Sequence, residues 1–168
     1  IIKLAGIELT VIGEENISEG PVLYIGNHRS FFDIVITYAR CKNLTGYIAK
    51  KEMLSIPLLR TWMKRLYCLF LDRENPKEGL KTILQAIDYV KNGISICIFP
   101  EGTRSQDEDP HEFKEGSLRP ALKAKVPVIP MAISGTADIL ENNKRFQVKP
   151  TTVHITFGQP IYPDQLER

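Results

Sequence analysis

The sequence predicts an α/β domain with a mostly parallel central sheet flanked by helices. Three observations carry this. The apolar run at 22–25 and the run at 94–99, apolar but for Ser95, read as buried strands, the pattern of parallel sheets. Residues 76–90 repeat their apolar side chains with helical spacing, at Leu80, Ile83, Leu84, Ile87 and Val90. Strands and helices then alternate along the chain, as crossover connections require. In such sheets, sites lie beyond the carboxyl ends of the strands. His28, Arg73 and the residues after Phe99 all fall at such ends.

The elements follow in order. Residues 6–13 alternate apolar and polar, a half-buried strand. Gly20-Pro21 turns the chain into the strand at 22–25, which delivers His28. Residues 31–39 suit a helix and Tyr47-Ile48-Ala49 a short strand. Residues 53–62 are apolar, with Pro57 near the start and Arg60, Lys64 and Arg65 as basic interruptions. That composition fits a helix lying in a membrane interface, and equally a packed helix with a solvated basic edge. Residues 67–71 read as a strand ending at Asp72-Arg73. The helix at 76–90 stops at Asn92-Gly93. Residues 116–124 suit a short helix. Pro127 and Pro130 confine the strand at 126–133 to an edge, a start or a bulge. Residues 152–157 form the last strand.

The totals bound the function. A length of 168 residues suits a single domain, 1–168, with a real core, leaving room upstream of Ile1 for a membrane-anchoring segment. Hydrophobic content of 43% and charged content of 25% are ordinary for a globular protein. A net charge of +2 gives no footprint for nucleic acid. Cys41, Cys68 and Cys97 are scattered, with no CxxC, and read as reduced thiols in a cytosolic setting. His111 and His154 lack ligand-like spacing, so no metal is expected. No apolar run approaches the roughly 18 residues of a membrane span.

Two constellations carry chemistry. In Asn27-His28-Arg29-Ser30-Phe31-Phe32-Asp33, a histidine and an aspartate stand five positions apart. Helix neighbours are three and four apart, so the pair meets only if the chain turns between them. Then the carboxylate fixes the tautomer of His28, and the ring can take a proton near neutral pH. Ser30 and Asp33 also form a capping-box pattern, and cap and catalytic pair can coexist. In Phe99-Pro100-Glu101-Gly102-Thr103-Arg104-Ser105, Gly102 admits close backbone approach and Arg104 offers a fork for phosphate. Thr103 and Ser105 add hydroxyls. Glu101 is placed to hold Arg104, as a local surface pair, or to contact a substrate hydroxyl. Phe113-Lys114-Glu115-Gly116 adds a cation and a glycine farther on.

Together these blocks resemble the glycerolipid acyltransferase family, whose best-known members are 1-acylglycerol-3-phosphate acyltransferases. Asn27, His28, Ser30 and Asp33 match its NHxSxxD block, and residues 99–105 match FPEGTRS at every position. Phe70-Leu71-Asp72-Arg73, with Lys50, Glu52 and Pro57 upstream, resembles its middle block. Val126-Pro127-Val128-Ile129-Pro130 resembles its proline-rich late strand. Arg60 and Tyr67 stand where the middle block usually carries glycine.

The resemblance implies a glycerol-3-phosphate acyltransferase-like fold and a direct acyl transfer. His28 would take the acceptor's proton, with Asp33 orienting it. Arg104 and Arg73 would bind the acceptor's phosphate, and Glu101, Gly102 and Thr103 would shape its pocket. The donor would be acyl-CoA or acyl-carrier protein, with no metal or bound cofactor. The acceptor would be lysophosphatidate, with glycerol-3-phosphate or another lysolipid as the alternative. A lipid acceptor further implies work at a membrane surface, at its cytoplasmic face. A non-catalytic lipid- or carrier-binding module would have no need of the His28–Asp33 pair. A hydrolase of the nucleophile-elbow type would show GxSxG, which is absent.

Overall fold

The computed structural model describes residues 2–104, 112–144 and 147–166. Ser105, the polar stretch 106–110 and His111 lie outside the described residues. The strands are β1 (Glu8–Ile12), β2 (Leu23–Gly26), β3 (Thr45–Lys50), β4 (Leu69–Leu71), β5 (Ser95–Ile98), β6 (Val128–Ser134) and β7 (Thr152–Phe157). The helices are α1 (Phe31–Arg40), α2 (Pro57–Arg65), α3 (Pro76–Lys91), α4 (Arg119–Ala124) and α5 (Pro163–Leu166). Short 3-10 turns join them, among them Lys51–Ser55, Glu115–Leu118 and Thr136–Ile139.

The seven strands form one sheet in the order β1-β7-β6-β2-β5-β3-β4. β2, β3, β4, β5 and β6 all run the same way, so their carboxyl ends share one edge. Among the pairings of these seven strands, β6–β7 is antiparallel and the others are parallel. α1 covers one face, where Ile36 joins Tyr24, Cys97, Ile129 and Ile133. α3 and α4 cover the other, where Ala86, Val90 and Ala121 meet Leu23, Ile25, Ile96 and Val128. β2 and β5 are buried along their whole length, which is why both read as mainly apolar runs; the one polar side chain, Ser95, accepts Val22 N–H at 3.0 Å.

Several elements differ from the sequence reading. The apolar stretch at 53–62 divides into the 3-10 turn Lys51–Ser55 and α2, because Pro57 at the first turn starts a new helix. No residue of α2 is buried. β4 is shorter than 67–71, because Tyr67 takes a left-handed φ of 57° before it. Its carbonyl passes Gly46 so closely that a Cβ there would lie 2.2 Å from it. A tyrosine thus occupies a conformation that favours glycine, held edge-on against Tyr89 at 5.7 Å between ring centres. α3 buries Thr82, Ala86 and Val90, leaving Leu80 and Leu84 about half exposed, so the covered stripe is rotated from the one expected.

β6 is an interior strand despite its prolines. Pro127 precedes it, and Pro130 sits where the ladder to the neighbouring chain breaks. Val128 pairs with Ile161 and Met131 with Phe157, so the opposite chain carries an extra residue between those points. The missing N–H of Pro130 faces that bulge, and its carbonyl still accepts from Gly158 N–H at 2.8 Å.

Candidate active site

The carboxyl ends of β2, β4, β5 and β6 bring the predicted residues to one edge of the sheet. The turn between β2 and α1 does what the His28–Asp33 spacing demands. Ser30 caps α1, its Oγ accepting Phe32 N–H at 3.0 Å. Asp33 reaches back, and its Oδ2 accepts Ser30 N–H and Arg29 N–H, each at 2.7 Å. The same oxygen lies 2.9 Å from His28 Nδ1. An oxygen already taking two backbone N–H groups is an acceptor, so Nδ1 carries the ring proton and Nε2 is left as the basic nitrogen. The cap and the His–Asp pair therefore share a single carboxylate oxygen. Asp33 is 1% exposed, and its Oδ1 is buried with no hydrogen-bond partner.

His28 is fixed from three further directions. Its ring stacks on Phe99 with centres 4.4 Å apart and planes 14° from parallel. Its backbone N–H donates to Glu101 Oε1 at 3.1 Å. Asn27 beside it bridges to β6, donating to Ile133 O and accepting Ile133 N–H, both at 2.8 Å. The side chain stays 15% exposed, so the ring remains open to a reactant.

Glu101 turns inward beneath His28 and is 5% exposed. The local surface pair with Arg104 gives way to a distant one. Arg104 Nη1 donates to Glu141 Oε1 at 3.1 Å, across 37 positions, and its guanidinium lies 4.0 Å over the Phe31 ring. Glu141 carries no signal in the sequence. It sits beside Asn142 and Asn143 in a turn that matches none of the recognised blocks.

Gly102 has a φ of +72°, and a Cβ there would lie 3.2 Å from Arg73 Nη2 and 3.3 Å from Lys114 Cε. Glycine is thus needed both for the left-handed backbone and for the approach of two cations. Arg73 is presented by the turn after β4. Asp72 accepts the N–H groups of Glu74 and Asn75 at 3.1 and 3.2 Å and pairs with Lys51 at 2.7 Å. The hydrogen bond from Lys51 holds the Asp72 carboxyl below its ordinary pKa. Among the described residues, no carboxylate pairs with Arg73 or Lys114. Thr103 is exposed on the same turn.

An apolar cavity of about 360 Å³ opens beside this turn, lined by Ile25, Pro100, Phe113, Leu118, Val128 and Ile161 among others. His154 lies on the exposed face of β7, paired with Ser134 of β6. Among the described residues no cluster of His, Cys, Asp and Glu is arranged to hold a metal ion. No helix among them is long and apolar enough to cross a membrane.

The chain is similar to known proteins over most of its length. The acyltransferase family model matches residues 8–134. A probable 1-acyl-sn-glycerol-3-phosphate acyltransferase of Mycoplasma pneumoniae is 30% identical over 96% of this chain and 65% of its own. A 1-acyl-sn-glycerol-3-phosphate acyltransferase of Cocos nucifera is 34% identical over 99% of this chain and 54% of its own. The crystal structure of the 1-acyl-sn-glycerophosphate (LPA) acyltransferase PlsC from Thermotoga maritima superposes with a TM-score of 0.82 at 31% identity. That match covers 97% of this chain and 65% of PlsC. The chain thus spans between half and two thirds of the length of these relatives. With the family model matched over most of its length, and with both sequence blocks meeting at one edge of the sheet, the chain belongs to the acyltransferase family.

Proposed function

We propose that the protein transfers a fatty acyl group from an acyl thioester to the sn-2 hydroxyl of 1-acylglycerol-3-phosphate, giving phosphatidate. The observation that carries this reading is the junction at Glu101-Gly102. Glu101 supports the backbone of His28, and its neighbour Gly102 lies under Arg73 and Lys114. A proton acceptor and a pair of cations are thereby tied to one turn.

The step balances on these groups. His28 Nε2 takes the proton of the acceptor hydroxyl as its oxygen attacks the thioester carbonyl. The tetrahedral intermediate collapses, the carbon–sulfur bond breaks, and the leaving thiolate takes the proton back from His28. Asp33 stabilises the imidazolium between these events. Ser30, the hydroxyl nearest in sequence to His28, donates to Glu141 and is not placed as a nucleophile. In this reading the acyl group passes directly from thioester to acceptor, with no acyl-enzyme, and calls on no metal or bound cofactor.

Arg73 and Lys114 are the phosphate ligands of this reading, since Arg104 is already paired with Glu141. The donor is acyl-CoA or acyl-carrier protein, and the apolar cavity beside Pro100 and Lys114 suits a hydrocarbon chain. The enzyme works on a membrane surface. Its contact is α2, which exposes Leu58 at 88% and Trp62 at 60% beside Arg60, Lys64 and Arg65.

The test is mass analysis of the lipid formed from an acyl-CoA or acyl-carrier protein and a panel of acceptors. Phosphatidate should form fastest from 1-acylglycerol-3-phosphate. Preference for a lysolipid without phosphate would refute the phosphate role of this pair of cations.

A further inference from the structure

Glu141 lies outside every block that the sequence marks, yet it joins the two halves of the site. We propose that it is a positioning residue, locking the amino end of α1 to the turn that carries Gly102 and Arg104. The role it serves rests on the reaction proposed above.

Both of its oxygens are engaged. Oε2 accepts Ser30 O–H at 2.6 Å, and Oε1 accepts Phe31 N–H at 2.9 Å and Arg104 Nη1–H at 3.1 Å. Because Ser30 donates its hydroxyl proton to Glu141, its oxygen is free to accept Phe32 N–H. Ser30 N–H then points at Asp33 Oδ2, the oxygen that holds His28 Nδ1. A short chain of hydrogen bonds thus leads from Glu141 through Ser30 and Asp33 to His28 Nδ1, whose proton leaves Nε2 as the base. The carboxylate also sits where the dipole of a ten-residue helix favours an anion. On its other side, Glu141 and the Phe31 ring together fix the Arg104 guanidinium.

The turn holding Glu141 is itself tied down by burial and hydrogen bonds. Ile139 and Thr136 just before it are buried, and Lys149 N–H donates to Ile139 O at 2.9 Å. Asn142 and Asn143 donate back to Asp138 at 2.7 Å. An exposed ion pair would contribute little. Here the Glu141 side chain is 18% exposed and accepts three hydrogen bonds. A purely structural cap would lower stability and leave turnover alone. A positioning residue must also change the chemistry.

The experiment compares wild type with Glu141→Ala, Glu141→Gln, Arg104→Ala and the Glu141→Ala/Arg104→Ala double variant. It reads turnover, both KM values and the unfolding midpoint. A second readout needs no acceptor: the His28 Nδ1 proton resonance by NMR, assigned by its loss in His28→Ala. Glu141→Ala should lose on the order of tenfold or more in turnover at an unchanged donor KM, with the resonance shifted or broadened. Glu141→Gln keeps the shape and one acceptor and should lose less. The double variant should be no worse than the worse single one, because residues acting as a unit are not additive. Wild-type turnover with only a lower midpoint, an unmoved resonance, or full additivity with Arg104→Ala would each overturn the proposal. If wild type makes no phosphatidate while the resonance still answers to Glu141→Ala, the acceptor assignment fails and the positioning role stands.

Discussion

Asp33 Oδ2 accepts from Arg29 N–H, Ser30 N–H and His28 Nδ1–H at once, so one atom starts α1 and sets the histidine tautomer. Asparagine would give an oxygen to some of these donors but would bury its amide where Oδ1 now has no partner. Asp33→Asn should therefore cost about 1–3 kcal/mol in stability, the usual cost of a buried unsatisfied group, measured by denaturant unfolding. Turnover of the protein that remains folded should fall by on the order of 100-fold or more. Arg73 makes the complementary case. Its guanidinium lies over Gly102 with no carboxylate partner among the described residues, so Arg73→Ala should raise the KM for the phosphorylated acceptor by roughly tenfold or more while the donor KM holds. Arg104→Ala should act mainly on turnover. Steady-state kinetics with each substrate varied in turn separates the two arginines.

At the scale of the elements, α2 differs most from its neighbours. It packs on the turn that precedes it and buries nothing, while Ile56, Leu58 and Trp62 face outward among basic residues. Leu58→Asp combined with Trp62→Ala should weaken binding to vesicles of anionic lipid by at least about tenfold, since each insertion contributes about 1.5–3 kcal/mol. Vesicle sedimentation checks this, and the unfolding midpoint should stay put because neither side chain is in the core. The strands and helices were largely legible from periodicity. β2 and β5 betray their double-sided burial by mainly apolar runs, and β7 matches the expected 152–157. What escaped has identifiable physical causes. Leu80 and Leu84 fit a helical stripe, but the choice of buried stripe belongs to tertiary packing, and Thr82 and Ala86 won it. Tyr67 gave no local sign of its left-handed backbone. Of the site, His28, Asp33, Arg73 and the Gly102 turn were readable from spacing and block pattern. Glu141 and the convergence of Lys114 on Gly102 were not, because contacts between segments far apart in the chain, 37 positions for Glu141 and Arg104, leave no periodic trace.

The whole molecule carries ionisable groups that the sheet keeps neutral. Burial pushes the Cys41 thiol from its ordinary 9.0 up to about 12, and pushes Cys97 and Tyr47 well upward too. In the unfolded chain these groups ionise at their ordinary values. Between pH 9 and pH 12 the folded state therefore holds more protons than the unfolded one, and stability must fall as pH rises. Below pH 9 their contribution is constant. The denaturant midpoint under reducing conditions should decline across this window, each group adding a slope approaching about 1.4 kcal/mol per pH unit. Cys41→Ala should flatten part of that decline. A midpoint independent of pH from 9 to 11 would contradict the burial of these thiols and phenols.

The site as a whole rests on one claim, that His28 is the base for direct transfer to a lysophosphatidate hydroxyl. The most direct measurement is thiol release from an acyl-CoA, with and without lysophosphatidate, in wild type and in a His28→Ala variant shown to be folded. The account predicts release that depends on lysophosphatidate and drops by on the order of 100- to 10,000-fold in the variant. Release without acceptor, or release undiminished in folded His28→Ala, would contradict it.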